Sequence, residues 1–143
     1  MFYEKEWKTY QEVVDEIKRK NQELKMYDIL IIDDDISGLV LLEKYFETKG
    51  ITCKIITDER EVLKELEHYH PKVILVDDIM PYIYGWDLCN QIKSNPNTNH
   101  IPVFLMGNWW RIREHEKDCK ADGYIFVPFA FSDFDVILNL VSK

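Results

Sequence analysis

Two stretches of this sequence, ILIIDDD at residues 29–35 and VILVDDIMP at residues 73–81, carry its strongest structural signal. Each begins with an unbroken apolar run rich in β-branched residues, a pattern typical of a parallel β-strand that is buried on both faces. Each then continues directly into clustered aspartates. If the two strands lie side by side, their carboxyl ends bring several carboxylates into one small volume. Crowded carboxylates repel one another unless a cation or a proton relieves the repulsion, so this pair of strand ends is a candidate functional site.

The composition indicates one globular core and argues against binding to nucleic acid or membranes. The chain has 143 residues, of which 46% are hydrophobic and 13% aromatic, enough to build a buried core. Its formal net charge is −8, and it lacks a dense run of lysine or arginine that would suit nucleic acid. Its apolar runs are too short to span a bilayer, and its charged start does not resemble a signal peptide. Its 3 widely spaced cysteines predict a reduced, cytoplasmic protein.

Residues 1–26 are predicted to form a unit of their own, an amphipathic helix over about 3–25 that precedes a domain at 27–143. Apolar residues and one polar residue recur here at alternating spacings of four and three: Tyr3, Trp7, Tyr10, Val14, Ile17, Asn21 and Leu24. This heptad pattern is typical of a coiled-coil homodimer, in which a buried Asn fixes the register. Packing of the helix on its own domain explains the pattern equally well, so both interpretations stay open.

Downstream of Tyr27, short apolar runs alternate with helical patterns. We expect strands at about 28–33, 51–57, 72–77, 101–106 and 123–127. We expect helices at about 37–49, 58–69, 85–94, 109–120 and 132–141. Gly50 should end the first of these helices, Asp58 and Glu61 should form a capping box for the second, and Ser132 should cap the last. The alternation predicts an α/β fold with an open parallel sheet and helices on both faces, which binds ligands at the carboxyl ends of its strands.

Residues 28–142 resemble the receiver domain of two-component response regulators. The resemblance rests on the acidic pair after the first strand, on Asp77 after the third, and on the residues that follow at the family's offsets, Met80, Pro81 and Gly85. A Val-Pro-Phe turn at residues 127–129 lies where the family has Lys-Pro-Phe. The resemblance implies a flavodoxin-like, doubly wound sheet with strand order 2-1-3-4-5, to which the N-terminal helix is an addition.

The resemblance also assigns roles to the acidic residues. In this family the aspartate four residues before the proline accepts a phosphoryl group from a histidine kinase, and that position is Asp77. A Mg²⁺ ion is held by the acidic pair, the acceptor and a backbone carbonyl, which here correspond to Asp33, Asp34, Asp77 and Ile79. Mg²⁺ prefers oxygen ligands and stabilises in-line phosphoryl transfer, so we expect a weak magnesium site. Asp78 should point to the other face of its strand, and Asp35 should cap a helix, so neither is predicted to be a ligand.

Two positions depart from the family's pattern. After the fourth strand the family has Ser or Thr, whose hydroxyl binds the phosphoryl group, but this chain has Gly107. The family's lysine before the last proline is replaced by Val127, which cannot make a charge-assisted hydrogen bond. The aromatic switch residue is kept as Tyr124. Arg111 or Arg113 could reach the pocket in place of the lysine, although an arginine on a helix usually lies at the surface.

These features lead to two hypotheses about signalling. In the first, the chain is a stand-alone receiver protein of a two-component phosphorelay, with Asp77 as a slowly modified phosphoacceptor and an atypical switch. In the second, it is a pseudo-receiver whose interactions do not depend on phosphorylation. Neither hypothesis makes the chain an enzyme. The expected partners are a histidine kinase or phosphotransfer protein, and a protein bound to the face made by the receiver's fourth helix, fifth strand and fifth helix.

Aromatic residues near this face carry a separate expectation. Phe126 and Phe134 should fill the core. Trp109 and Trp110 are adjacent, so one helix stripe cannot bury both, and at least one should be exposed or in a contact.

Two further interpretations of the acidic and metal-binding residue types have less support. The sequence DDDIS at residues 33–37 resembles the first motif of haloacid-dehalogenase-type phosphatases, in which the first aspartate is the nucleophile. The chain is short for that fold, and this hypothesis leaves the offsets of Pro81 and Gly85 unexplained. His115 and Cys119 lie four residues apart on a predicted helix and could share a metal ion, but a second pair of ligands is missing nearby.

Overall fold

A computed structural model of the chain describes residues 8–23 and 26–142. Its sheet contains five strands, all parallel, in the order β2-β1-β3-β4-β5. The strands are β1 at Ile29–Ile32, β2 at Cys53–Ile56, β3 at Val73–Asp77, β4 at Val103–Gly107 and β5 at Gly123–Phe126. The predicted fold class and strand order are therefore confirmed.

Helices precede the sheet and connect its strands. Those described are α1 at Tyr10–Glu23, α2 at Val40–Thr48, α3 at Val62–His68, α4 at Gly85–Ser94, α5 at Trp109–His115 and α6 at Asp135–Val141. Short 3₁₀ helices lie at Ile36–Leu39, Glu59–Glu61, Glu116–Asp118 and Phe131–Phe134. None of the helices in the described part of the chain is long and apolar enough to cross a bilayer.

The core consists of two hydrophobic clusters, one on each face of the sheet. All four residues of β1 are fully buried, and alternate residues pack into opposite clusters. Phe134 is fully buried, as predicted. The prediction for Phe126 is wrong, because its side chain is 39% exposed. Phe126 is the last residue of an edge strand and lies opposite Gly107, which has no side chain to cover it.

The helix ends differ in detail from the sequence-based expectations. Gly50 follows α2 with a positive φ of 72°, as expected for a glycine that ends a helix. The capping box of Asp58 and Glu61 is wrong. The Asp58 carboxylate instead accepts the backbone N–H of Arg60, while the Glu61 N–H donates to the Asp58 carbonyl, and the result is a 3₁₀ turn before α3. The helix predicted at 109–120 ends as an α-helix at His115.

The prediction that Ser132 caps the last helix is also wrong. Ser132 lies inside the 3₁₀ helix that leads into α6. The Asp133 carboxylate accepts the backbone N–H of Ala130 at 2.9 Å, which fixes the entry to this turn. The Asp133 carboxylate thus satisfies the N–H of the residue that precedes the turn, whereas a capping hydroxyl would accept an N–H inside the helix.

The described part of α1 packs on the chain's own domain. Val14 and Ile17 are buried in the cluster that covers one face of the sheet. The Asn21 side chain donates to the Ile55 carbonyl at 2.7 Å and accepts the Ile55 N–H at 3.4 Å. Because β2 is an edge strand, Asn21 satisfies backbone groups that would otherwise lack a strand partner. Tyr3, Trp7 and Leu24 of the heptad series lie outside the described residues.

Candidate functional site

The carboxyl ends of β1 and β3 meet at one edge of the sheet, because Ile32 lies opposite Val76 in the parallel register. Asp33 follows β1 directly, and Asp77 is the last residue of β3. The loop after β3 then returns so closely that a Cβ atom on Gly85 would lie 2.0 Å from the carbonyl oxygen of Asp77. The glycine at this offset is therefore required by the close approach of two backbone segments beside the site.

Three carboxylates converge at this edge. Asp33, Asp34 and Asp77 each offer an oxygen atom, and these oxygens lie within 4.8 Å of one another. Asp33 and Asp77 are half-buried, whereas Asp34 is exposed. A set of oxygen donors that leaves one side open to water suits Mg²⁺, which keeps several water ligands. The fourth predicted ligand, the carbonyl of Ile79, remains a prediction.

Burial and crowding raise the pKa values of two of these carboxyl groups. The pKa of Asp77 is raised to about 7, first by burial and then by the negative charges of Asp33, Asp78 and Asp34. The pKa of Asp33 is raised to about 6, chiefly by burial, although the N–H that Asp35 donates to it acts in the opposite direction. A bound cation would oppose both shifts, because it stabilises the ionised carboxylates.

Asp78 occupies the space that Gly107 leaves open. A Cβ atom on Gly107 would lie 2.3 Å from Cγ of Asp78, so no side chain fits at position 107 while Asp78 is in place. The Asp78 side chain is only 1% exposed. Asp78 lies outside the three-carboxylate cluster, and that it is not a metal ligand remains a prediction.

Arg111 of α5 is the charge partner of Asp78. Its Nε donates to Oδ2 at 2.8 Å and its Nη2 to Oδ1 at 3.3 Å, a bidentate contact. Arg113, the other arginine considered, instead pairs with Glu116 at 3.4 Å and lies 5.5 Å from the centre of the Trp109 ring. Only Arg111 therefore reaches the site edge. The sequence did not predict the contact between Arg111 and Asp78. The signal that could have indicated it is the extra acid after the third strand, which occurs together with the loss of a side chain at Gly107.

The remaining predicted switch residues lie on β5 and directly after it, Tyr124 as its second residue and Val127 as the residue that follows it. The Val127 N–H donates to the Gly107 carbonyl at 3.0 Å, so the two atypical positions are direct neighbours. The Val127–Pro128 peptide bond is cis. Tyr124 is partly buried against one of the two core clusters, and burial raises its pKa. Neither Gly107 nor Val127 offers a polar side chain to a phosphoryl group.

A second missed feature holds the loop after Asp77 in place. Glu59 is 1% exposed, and its Oε1 accepts the backbone N–H groups of Tyr82 and Ile83. The neighbouring Arg60 places its guanidinium 3.6 Å from the centre of the Tyr82 ring. The sequence pattern marked residues 58–61 only as a helix start, because a contact to a loop over 20 residues away has no local signature. This contact fixes the loop that carries the predicted Ile79 ligand.

The site edge also carries exposed aromatic residues. Trp109 is 45% exposed and Trp110 71% exposed, so both tryptophans face solvent, where at least one was expected. Their rings meet edge to face with centroids 4.8 Å apart. Both lie at the start of α5, one turn or less from Arg111.

Comparisons with known proteins agree on one family. A sequence model described as "Response regulator receiver domain" matches residues 29–139. Chemotaxis protein CheV2 of Helicobacter pylori is 31% identical over 103 residues, which cover 68% of this chain and 33% of that protein. Response regulator MprA of Mycolicibacterium vanbaalenii is 28% identical over 105 residues, or 73% of this chain and 46% of that protein. The chain thus spans less than half the length of these curated relatives.

A solved structure gives the same result. The signal receiver domain of a signal transduction histidine kinase from Syntrophus aciditrophicus superposes with a TM-score of 0.74 at 27% identity, covering 82% of this chain and 91% of that one. The haloacid-dehalogenase hypothesis gains nothing from these matches, which assign the aspartate motifs to a receiver.

Proposed function

Because the chain belongs to the response regulator receiver domain family, which serves two-component signalling, we propose that Asp77 is its phosphoacceptor and that Mg²⁺ assists the transfer. The observation that carries the proposal is the convergence of Asp33, Asp34 and Asp77 within 4.8 Å. The proposed magnesium ligands are these three carboxylates and the carbonyl of Ile79. Asp77 is only half-buried, so a donor can reach it.

In the proposed reaction an Asp77 carboxylate oxygen attacks the phosphorus of a phosphohistidine or an acyl phosphate. A new P–O bond forms on Asp77, and the bond to the leaving imidazole nitrogen or acyl oxygen breaks with its electron pair. Mg²⁺ would neutralise charge on the incoming phosphoryl oxygens. Asp33 and Asp34 would hold the cation. Ionised Asp77 is the nucleophile, so a cation that lowered the pKa of Asp77 would also favour its reactive form.

We expect slow, Mg²⁺-dependent phosphorylation of Asp77 by acetyl phosphate, because neither Gly107 nor Val127 offers a donor to the phosphoryl group. Intact-mass spectrometry should show the addition of one phosphoryl group, and Asp77→Asn should abolish it. Asp35→Asn is a matched control, since Asp35 caps the 3₁₀ helix at Ile36–Leu39 and is not among the three clustered acids. The proposal would be overturned if the protein with the natural sequence stayed unphosphorylated at a high concentration of acetyl phosphate.

A pseudo-receiver is the second candidate. The observation that favours it is the loss of both phosphoryl-binding side chains at Gly107 and Val127. In that case partner binding would be the same for the natural sequence and for Asp77→Asn, with or without a phosphoryl donor.

The proposed partners are a histidine kinase or phosphotransfer protein in the cytoplasm, and a protein that docks on α5, β5 and α6. The exposed Trp109 and Trp110 support the use of that face.

The role of residues 1–26 as a separate unit and as a dimer element is also open to test. Val14, Ile17 and Asn21 already contact the chain's own domain, which favours intramolecular packing over a coiled-coil dimer. We therefore expect light scattering of the full chain to give a monomer across a wide concentration range. A concentration-dependent dimer that is lost in a Tyr10→Glu variant would instead support self-association, since Tyr10 is 61% exposed.

A further inference from the structure

Arg111 is a cation that is bound by the residue next in sequence to the proposed phosphoacceptor. It contacts the carboxylate of Asp78, the residue that directly follows Asp77. The negative charge of Asp77 also contributes to raising the pKa of the Arg111 guanidinium, after the hydrogen bond to Asp78. The contact with Asp78 therefore places Arg111 at the edge of the site, although Arg111 is not hydrogen-bonded to any of the three clustered acids.

The guanidinium has unused hydrogen-bonding capacity. Arginine carries five N–H donors, and the contact with Asp78 occupies two of them. The other donors make no hydrogen bond to any residue in ranges 8–23 and 26–142. The side chain is 42% exposed, whereas Asp78 is almost fully buried. Asp78 therefore anchors one edge of the guanidinium while the rest of it stays open to a ligand.

This arrangement depends on Gly107. With any larger residue at 107 the Asp78 carboxylate could not occupy its present position, because the Cβ atom would lie within 2.7 Å of three of its atoms. The Asp78 carboxylate thus fills the space where the receiver resemblance places a phosphoryl-binding hydroxyl, and Arg111 is bound to that carboxylate. Val127, the position of the missing lysine, is linked to the same residue through the Gly107 carbonyl.

We propose that Arg111 binds the phosphoryl group on Asp77, using its free N–H donors, while Asp78 positions the guanidinium through its Nε side. The inference rests on the proposed function, since it requires Asp77 to carry the group. A phosphoryl group presents three acceptor oxygens and a charge of about −1.5 to −2, which suits an arginine fork. Because Asp78 keeps its bidentate contact with Arg111, no buried carboxylate is left without a partner.

Beryllium fluoride with Mg²⁺, an analogue of the aspartyl phosphate, tests the inference at equilibrium. We expect Arg111→Gln to weaken its binding roughly tenfold, as for loss of a charge-assisted hydrogen bond, and Arg111→Lys to recover part of the loss. Arg113→Gln is the matched control, because Arg113 lies on the same helix and pairs with Glu116. It should bind like the natural sequence. NMR should also show the Arg111 Nε–H resonance shifting when the analogue binds.

Arg111→Gln leaves the buried Asp78 carboxylate without its cation and could therefore impair folding. A double variant controls for this defect. Asp78→Asn/Arg111→Gln removes the cation without leaving a buried charge, and it should show the same weakened binding. The inference would be overturned if the natural sequence and both variants with Arg111→Gln bound the analogue equally well, and if the Arg111 resonance of the natural sequence did not shift. That result would leave the proposed function intact. If the natural sequence neither binds the analogue nor becomes phosphorylated, the proposed function itself fails, and this inference with it.

Discussion

Gly107→Ser should destabilise the protein by about 3 kcal/mol, because it forces a side chain into space that the buried carboxylate of Asp78 already fills. The new Cβ would lie 2.3 Å from Cγ of Asp78 and 2.4 Å from its Oδ2. Relief requires the Asp78 carboxylate to leave its pocket and its contact with Arg111. Urea denaturation followed by circular dichroism measures the change in the free energy of unfolding.

A second substitution identifies the cause. Asp78→Ala removes the colliding carboxylate and leaves Arg111 free to turn towards water, so Gly107→Ser should cost under about 1 kcal/mol in that background. Gly38→Ser is the matched control, since a Cβ on Gly38 meets nothing within 4 Å. It should change stability by no more than about 0.5 kcal/mol. An equal cost of Gly107→Ser with and without Asp78 would show that the collision is not the reason for glycine at this position.

The part of the site formed by Asp33, Asp34 and Asp77 could be predicted because it follows from backbone pattern alone. Uninterrupted apolar runs mark β1 and β3 as central parallel strands, and parallel neighbours end at the same edge of the sheet. An acid that directly follows such a run must therefore lie at that edge. The family resemblance added the strand order, and the observed order agrees with it.

The Asp78–Arg111 pair could not be predicted in the same way. Alternation along β3 predicted that Asp78 points away from Asp77, but alternation does not say what Asp78 meets there. The answer depends on the missing side chain of Gly107 in the next strand and on an arginine 33 residues away in sequence. Such a contact depends on tertiary packing, which local patterns do not encode. The same limit applies to Glu59, whose carboxylate accepts backbone N–H groups that have no sequence signature.

Asp77→Asn should stabilise the metal-free protein by about 2 kcal/mol at pH 8, because it removes a half-buried charge from a crowded acidic cluster. The folded-state pKa of Asp77 is about 7, above the ordinary value of 3.8. The folded state therefore binds the proton more tightly than the unfolded chain, and this contribution to stability is lost as pH rises from about 4 to about 7. Asp77→Asn does not lose stability in this way. The difference in free energy of unfolding between Asp77→Asn and the natural sequence should therefore be greatest above pH 7 and should vanish near pH 4. Thermal or urea denaturation in the presence of a chelator measures it.

Magnesium should reverse the order of stability, because a cation bound only by the folded state stabilises it by mass action. The natural sequence should gain stability with rising Mg²⁺ at pH 8, and Asp77→Asn should gain far less, since it lacks one of the three clustered carboxylates. Asp118→Asn is the control for a general charge effect, because Asp118 is exposed and lies outside the cluster. It should follow the natural sequence under both conditions. If Asp77→Asn were no more stable than the natural sequence without metal, repulsion among the three carboxylates would not destabilise the protein. Cation binding would then have no such repulsion to reduce.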